Sequence, residues 1–249
     1  MDTARIADLL EPFLQLPIAQ PPPHSARSAS EHSPAENNQP ETFVFSETQL
    51  EDISTYIDML IRWNSRMNLT AIRDPEQIVT RHFGESLFAA RHLFTPSSSL
   101  SSPMNSASPA RTLADIGSGA GFPGLPIKIL IPELSLTLIE SSHKKSTFLR
   151  EVTRALTLTD VDIQTRRAET LSTTYDVVTL RAVERFKTIL PTAARLLAPA
   201  GRLALLISSA QQPQAQSALP GLNWSPPSPI PLSASRILLI ASRILAPKT

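Results

Sequence analysis

Two hydrophobic periods divide the chain. Ile6, Leu9, Leu10, Phe13 and Leu14 recur at helical spacing and predict a short helix within residues 1–16. Residues 17–42 have no period and are rich in Pro, Ser and Asn, so a disordered linker is expected. Order returns at Ser46, where Ser46 and Gln49 have the spacing of a capping box. Leu50, Ile53, Ile57, Leu60 and Ile61 then follow at helical spacing to about residue 66. Pro75 cannot lie inside a helix, so 68–74 is a loop and a new helix starts near Pro75. A further helix over about 79–94 carries Phe83, Leu87, Phe88 and Leu93, completing a helical N-terminal part at 43–94. Residues 95–110 hold seven Ser and three Pro and read as a low-complexity surface loop.

From residue 111 the pattern becomes strand, helix, strand. Strands are expected at 112–116, 134–140, 161–165, 175–180, 202–207 and 237–241, with helices at 122–131, 144–158 and 186–197. The last of these helices is expected to end through Pro199 and Gly201. Such alternation implies right-handed βαβ units. The fold class is therefore α/β, a Rossmann-like domain with a mostly parallel sheet over 111–249 and an N-terminal helical extension.

Composition narrows the function classes. The 41% hydrophobic content is enough for a core, and no run approaches the roughly 18 apolar residues of a membrane span. Asp8, Glu11 and two prolines interrupt the first twenty residues, unlike a signal peptide, and we expect a soluble, cytoplasmic monomer. With 23 basic and 22 acidic residues the net charge is +1, which excludes a strongly basic nucleic-acid-coating protein but not a local basic face. There is no Cys, and none of the five His pairs with another at a metal-ligand spacing, so no metal site is expected.

Glycine carries the chemistry. Of only seven Gly in the chain, four lie at 117, 119, 121 and 124, between an expected strand and helix. Glycines there let the backbone turn tightly and approach a ligand closely. Glu140 follows Gly121 at the end of the second expected strand, where an acid accepts hydrogen bonds from both hydroxyls of an adenosine ribose. Gly119, Gly121 and Gly124 match a dinucleotide fingerprint. Asp115 just before them suits a cation better than a pyrophosphate, which favours S-adenosylmethionine over a nicotinamide cofactor. The bland alternative is a tight turn with no ligand, and solvated strand-end carboxylates at Asp115 and Glu140.

These residues sit within a wider resemblance. The stretches Tyr56–Thr70, Arg81–Ser86, Asp115–Gly124, Leu138–Leu149, Arg167–Glu169 and Leu180–Val183 resemble the bacterial 16S ribosomal RNA guanine-N7 methyltransferase family, also called the glucose-inhibited division protein B family. The resemblance covers roughly 45–207 and, weakly, 230–245. It implies that Gly117 and Phe122 line the cofactor, that Ala168 and Glu169 lie beside its adenine, and that Glu140 is the ribose acid. It also implies that Arg181, at the end of the fourth strand, stands at the ligand edge of the sheet, where we expect it to touch both cofactor and reacting base; an ordinary surface pair with Glu184 is the alternative. The chain departs from the family at the end of the fifth strand, where Ile207-Ser208-Ser209 replaces a Lys-Gly pair, in the Pro-rich 210–235, and in the segments 17–42 and 95–110.

The implied partner is 16S ribosomal RNA or the small ribosomal subunit. Arg62, Arg66, Arg73, Lys144 and Lys145 are the expected RNA contacts, since phosphate binding needs such side chains. Trp63 reads as core, and Asn68 and Thr70 as loop-capping residues. Guanine N7 already carries a lone pair, so attack on a sulfonium methyl needs alignment and water exclusion rather than a general base. The alternatives are a small-molecule methyltransferase on the same fold and a non-catalytic RNA-binding assembly factor.

Overall fold

The computed structural model describes residues 1–15, 44–94, 111–183 and 185–243. The expected linkers at 17–42 and 95–110, and Glu184, lie outside the described residues. The N-terminal part consists of α1 (Thr3–Leu14), α2 (Glu47–Asn64), α3 (Pro75–Ile78), a π-helical turn at Val79–Gly84, and α4 (Glu85–Phe94). The capping box at Ser46 is present: the Ser46 hydroxyl accepts from the Gln49 N–H at 3.2 Å, and Gln49 Oε1 accepts from the Ser46 N–H at 2.9 Å. Asp74 caps α3 through the Gln77 N–H, with Pro75 at the first helical position.

Eight strands follow with α5–α8 between them: β1 (Thr112–Ile116), α5 (Gly124–Leu130), β2 (Ser135–Ile139), α6 (His143–Ala155), β3 (Val161–Gln164), β4 (Tyr175–Arg181), α7 (Phe186–Arg195), β5 (Leu197–Ser208), α8 (Gln212–Ala218), β6 (Leu222–Trp224), β7 (Ser228–Pro229) and β8 (Arg236–Arg243). The sheet order is β3-β2-β1-β4-β5-β8-β6, with β7 also paired to β8. The first five strands are parallel; β8 and its partners are antiparallel. The order reverses between β1 and β4, and in open α/β sheets such a switch point, beyond the carboxyl ends of the strands, is where ligands bind.

One expected boundary moves. The helix expected at 186–197 stops at Arg195, and Pro199 and Gly201 lie inside β5. The register between β4 and β5 jumps from Tyr175↔Leu197 to Val177↔Arg202, so 198–201 bulge from the ladder. A Pro and a Gly are the residues such a bulge accommodates. The Pro-rich 210–235 is also more structured than its composition suggests. It holds α8, β6 and β7, and buries Ile230 to 2% exposure.

The two sheet faces carry separate apolar cores. On one, α7 and α8 cover Ala114, Val178, Leu203 and Leu239. On the other, the N-terminal helices share a single core with α5 and α6, through Tyr56, Phe83, Leu87, Leu125 and Phe148. The N-terminal part is thus the outer layer of that face. Phe13 of α1 lies directly over Gly84, where an added Cβ would meet the ring at 2.5 Å. Gly84→Ala is therefore expected to destabilise the fold by roughly 1–3 kcal/mol through overpacking. Thermal unfolding checks this, and an unchanged midpoint would show that α1 can shift aside.

Candidate active site

The glycine loop runs from the end of β1 to α5. Its backbone is pinned to β2, with Gly117 N–H and Ser118 N–H both donating to the Ile139 carbonyl at 2.8 and 3.2 Å. Gly119 and Gly121 have φ of 57° and 95°, in the left-handed region that favours glycine. A Cβ on Gly121 would collide with Tyr56 and Leu125, whereas one on Gly119 would meet nothing closer than 3.8 Å. Gly121 is thus a packing requirement, and Gly119 leaves an open approach to the loop.

Two acids hold the loop from different sides. Glu140, 7% exposed, accepts from the Gly119 N–H at 2.9 Å and from the Ser142 N–H at 2.8 Å, one on each oxygen. A carboxylate has about four acceptor sites, so capacity for hydroxyl donors is left. Asp115 differs from the cation-facing role read from sequence. Its side chain points inward, accepting from Thr179 Oγ1 at 2.9 Å and from the Gly124 N–H at 3.2 Å. Burial pushes its pKa up to about 6, against the lowering effect of those hydrogen bonds. Asp115 therefore braces the start of α5 beneath the loop.

Phe122 is also inside. Its ring is stacked between Tyr56 (5.3 Å, 2° between planes) and His82 (4.7 Å, 24°), with Phe83 edge-on at 5.2 Å. The Tyr56 hydroxyl donates to the Ala120 carbonyl. The loop is thereby clamped to α2 and to the π-helical turn. After β3, Ala168 is buried in the same apolar cluster as Ile139, while the neighbouring Glu169 is exposed.

Arg181, at the end of β4, is not part of a surface pair. Its side chain is only 11% exposed, and its Nε donates to Glu85 at 3.2 Å. Nη2 donates to the Arg81 carbonyl at 2.7 Å and contacts His82 Nδ1 at 3.0 Å. Glu85 is 1% exposed and also receives Arg81 at 3.0 Å and Arg236, at the start of β8, at 3.0 Å. Three guanidinium groups thus surround one carboxylate at the carboxyl edge of the sheet. Burial, followed by the charges of Arg181, Arg81 and Arg236, lowers the His82 pKa to about 3, so its imidazole is neutral.

The expected RNA-contact residues lie apart from this cluster. Arg62, Arg66, Arg73 and Lys144 are exposed and Lys145 half-buried. Trp63 packs on Phe148 at 5.5 Å, which brings the end of α2, with Arg62 and Arg66 nearby, against α6, whose first turn holds Lys144 and Lys145. Sequence reasoning assigned no role to Tyr56, His82, Glu85, Thr179 or Arg236, and gave Thr70 only a loop-capping one. His82 and Glu85 lie within the quoted stretch Arg81–Ser86, and Tyr56 and Thr70 close the ends of another. Arg236 offered no local signal. Among the described residues no cluster of His, Asp and Glu has the form of a metal site.

Fold and site together define a Rossmann-like methyltransferase fold. A magnesium protoporphyrin IX methyltransferase from Synechocystis, solved with bound S-adenosylmethionine, superposes with a TM-score of 0.57 at 15% identity, covering 78% of this chain and 97% of that one. The model of the family rRNA small subunit methyltransferase G matches residues 49–219. The chain belongs to that family. A relative of that name from Exiguobacterium is 44% identical over 152 residues, 58% of each chain. Another from Chloroflexus aggregans is 44% identical over 164 residues, 64% of this chain and 63% of its own. The match thus spans about three-fifths of these relatives' length.

The His82 environment sets an observable. A folded-state pKa near 3, against 6.5 in the unfolded chain, means that the unfolded state takes up the proton first. The stability contributed by neutral His82 is present above about pH 6.5 and is lost as pH falls toward 3. Nitrogen NMR at pH 6 should show a neutral ring with its proton on Nε2. Relative to His82→Gln, the wild type should lose stability between pH 7 and 4. A parallel pH dependence in both proteins would contradict this.

Proposed function

We propose that the chain is an S-adenosylmethionine-dependent methyltransferase that methylates guanine N7 in 16S ribosomal RNA, acting in the cytoplasm on the RNA or the small subunit. One observation carries the reading: the open glycine loop, the Glu140 carboxylate and the Arg81–Arg181–Arg236 cluster meet at one edge of the sheet. The first two suit an adenosine with a cationic methionyl part. The third holds more positive than negative charge, since one carboxylate faces three guanidinium groups, and this suits a polyanion.

S-adenosylmethionine, when bound, supplies the electrophilic methyl on its sulfonium. Gly117, Gly119 and Gly121 would present backbone to it, and Glu140 would receive its ribose hydroxyls. Phe122, Ala168 and Glu169 shape the pocket, with Phe122 acting through the loop that it clamps. Asp115 acts by bracing that loop. Arg181, set by Glu85, is fixed at the site where the two substrates meet. Arg62, Arg66, Arg73, Lys144 and Lys145 give an exposed basic surface for phosphates. The reaction needs N7, the methyl carbon and sulfur in line, and a preorganised pocket supplies that alignment. A neutral, buried His82 fits a site that does not need to accept a proton.

Glu140→Ala should weaken S-adenosylmethionine binding by about 1.5–3 kcal/mol, the contribution of a hydrogen bond to a charged group. Isothermal titration measures it, and equal affinity would refute the ribose role. Replacing Arg62, Arg66 and Arg73 by Ala should flatten the salt dependence of RNA binding by roughly one unit of slope per lost phosphate contact. Cofactor affinity should not change. Filter binding across a salt series is the check, and an unchanged slope would place the RNA surface elsewhere. Mass mapping of ribosomal RNA from a deletion strain tests the whole reading, which requires that one N7-methylguanine disappear.

A further inference from the structure

We propose that the Thr70 hydroxyl donates the hydrogen bond that holds the O6 carbonyl of the target guanine, making Thr70 a base-recognition residue. This rests on the guanine-N7 reading above. Thr70 lies in the loop between α2 and α3, and its backbone is fixed from both sides by Asn64. The Thr70 N–H donates to Asn64 Oδ1 at 3.0 Å, and Asn64 Nδ2 donates to the Thr70 carbonyl at 2.9 Å. The hydroxyl oxygen accepts from the Ile72 N–H at 3.1 Å and lies 2.7 Å from His82 Nε2.

Arg181 decides the direction of that last bond. A guanidinium has no acceptor, so its Nη2, 3.0 Å from His82 Nδ1, donates. A neutral imidazole that accepts at Nδ1 carries its proton on Nε2 and must donate to Thr70 Oγ1. Both acceptor positions of the hydroxyl are then filled. Its own proton has no acceptor among the described residues, and Thr70 is half-exposed. The network therefore turns a group that is normally donor and acceptor into a donor only.

Its position gives the donor a target. His82 stacks on Phe122 of the glycine loop and is hydrogen-bonded to Arg181 at the carboxyl end of β4. The Thr70 hydroxyl thus borders the proposed site of methyl transfer. Guanine presents N7 and O6 side by side as acceptors, whereas adenine presents N7 beside an amino donor. During methylation the N7 lone pair must stay free, so O6 is the remaining handle on that edge. A fixed donor there orients the ring and rejects adenine, whose amino group would meet an unpaired donor. Phosphate oxygens also accept, but the charged guanidinium groups nearby serve them better.

The test uses Thr70→Val, which removes the proton, and Thr70→Ser, which keeps it. Substrates are a 16S ribosomal RNA transcript, naked and in reconstituted small subunits, and the same RNA with 2-aminopurine, which lacks O6, at the mapped target. Thr70→Val should lower kcat/KM on the guanine RNA about tenfold, the loss expected for one hydrogen bond, with S-adenosylmethionine affinity unchanged. Thr70→Ser should stay within about threefold of wild type. On the 2-aminopurine RNA, wild type and Thr70→Val should be equal, because the partner is already gone. A loop defect would lower both RNAs by the same factor, and that result overturns the proposal even if the Val variant is less stable. Full activity of Thr70→Val also overturns it. If wild type methylates no form of the RNA, the guanine-N7 reading itself fails and this proposal with it; if Thr70 alone is wrong, wild-type methylation persists.

Discussion

The site depends on one buried carboxylate. Glu85 is 1% exposed, and it ties together groups that are remote in sequence, with Arg181 and Arg236 lying 96 and 151 residues further along the chain. A carboxylate removed from water is costly unless it is paired and hydrogen-bonded. Here the pairing also sets geometry. Arg181 is aimed by Glu85, the Arg81 carbonyl and His82, and Arg236 is held by Glu85 and the Leu206 carbonyl at 3.0 Å. One anion among three cations leaves the cluster positive, and Arg81, 43% exposed, carries part of that excess to the solvent. Removing Glu85 would both disorder the arginines and leave their charges to repel.

A second clamp depends on the first. Arg181 fixes the His82 ring by hydrogen bond, and the ring in turn covers Phe122, whose other face lies on Tyr56. Tyr56 reaches the Ala120 carbonyl, so the turn of the glycine loop is held by an aromatic stack anchored in α2. Loop, π-helical turn and β4 are therefore tied to one another. For the proposed methyl transfer, which needs alignment rather than proton transfer, such a clamp would be the main contribution of the protein. It also explains why the N-terminal helices share one core with α5 and α6: they form the wall against which the loop is set.

Much of this was legible in the sequence. The alternation after residue 111 has the period of βαβ units, and four of the seven glycines falling in one strand–helix turn is a strong local signal. The Ser46 capping box is likewise encoded within four residues. The direction in which a side chain faces was not legible. Asp115 and Arg181 were correctly placed at strand ends, but inward and outward positions there are decided by partners far along the chain, Thr179 and Glu85. The clamp around Phe122 was missed for the same reason, since Tyr56, His82 and Phe122 have no shared spacing. No element was expected in 210–235, where the prolines stand at a helix start and a strand edge, positions compatible with order.

That last segment has a purpose in the geometry. Because β8 runs antiparallel to β5, its first residue, Arg236, pairs with Ser208 and falls at the carboxyl edge of the parallel strands. To reach that point the chain must leave the edge after β5, descend through α8 to β6, which pairs near the far end of β8, and climb back through β7. The family's Lys-Gly pair is absent from the end of β5, where Ile207, Ser208 and Ser209 stand. A cation nevertheless arrives at this edge from β8, held over Leu206 by its own hydrogen bond. Positive charge at the edge is thus delivered by topology and tertiary pairing, and a local motif at the end of the fifth strand is not needed to supply it.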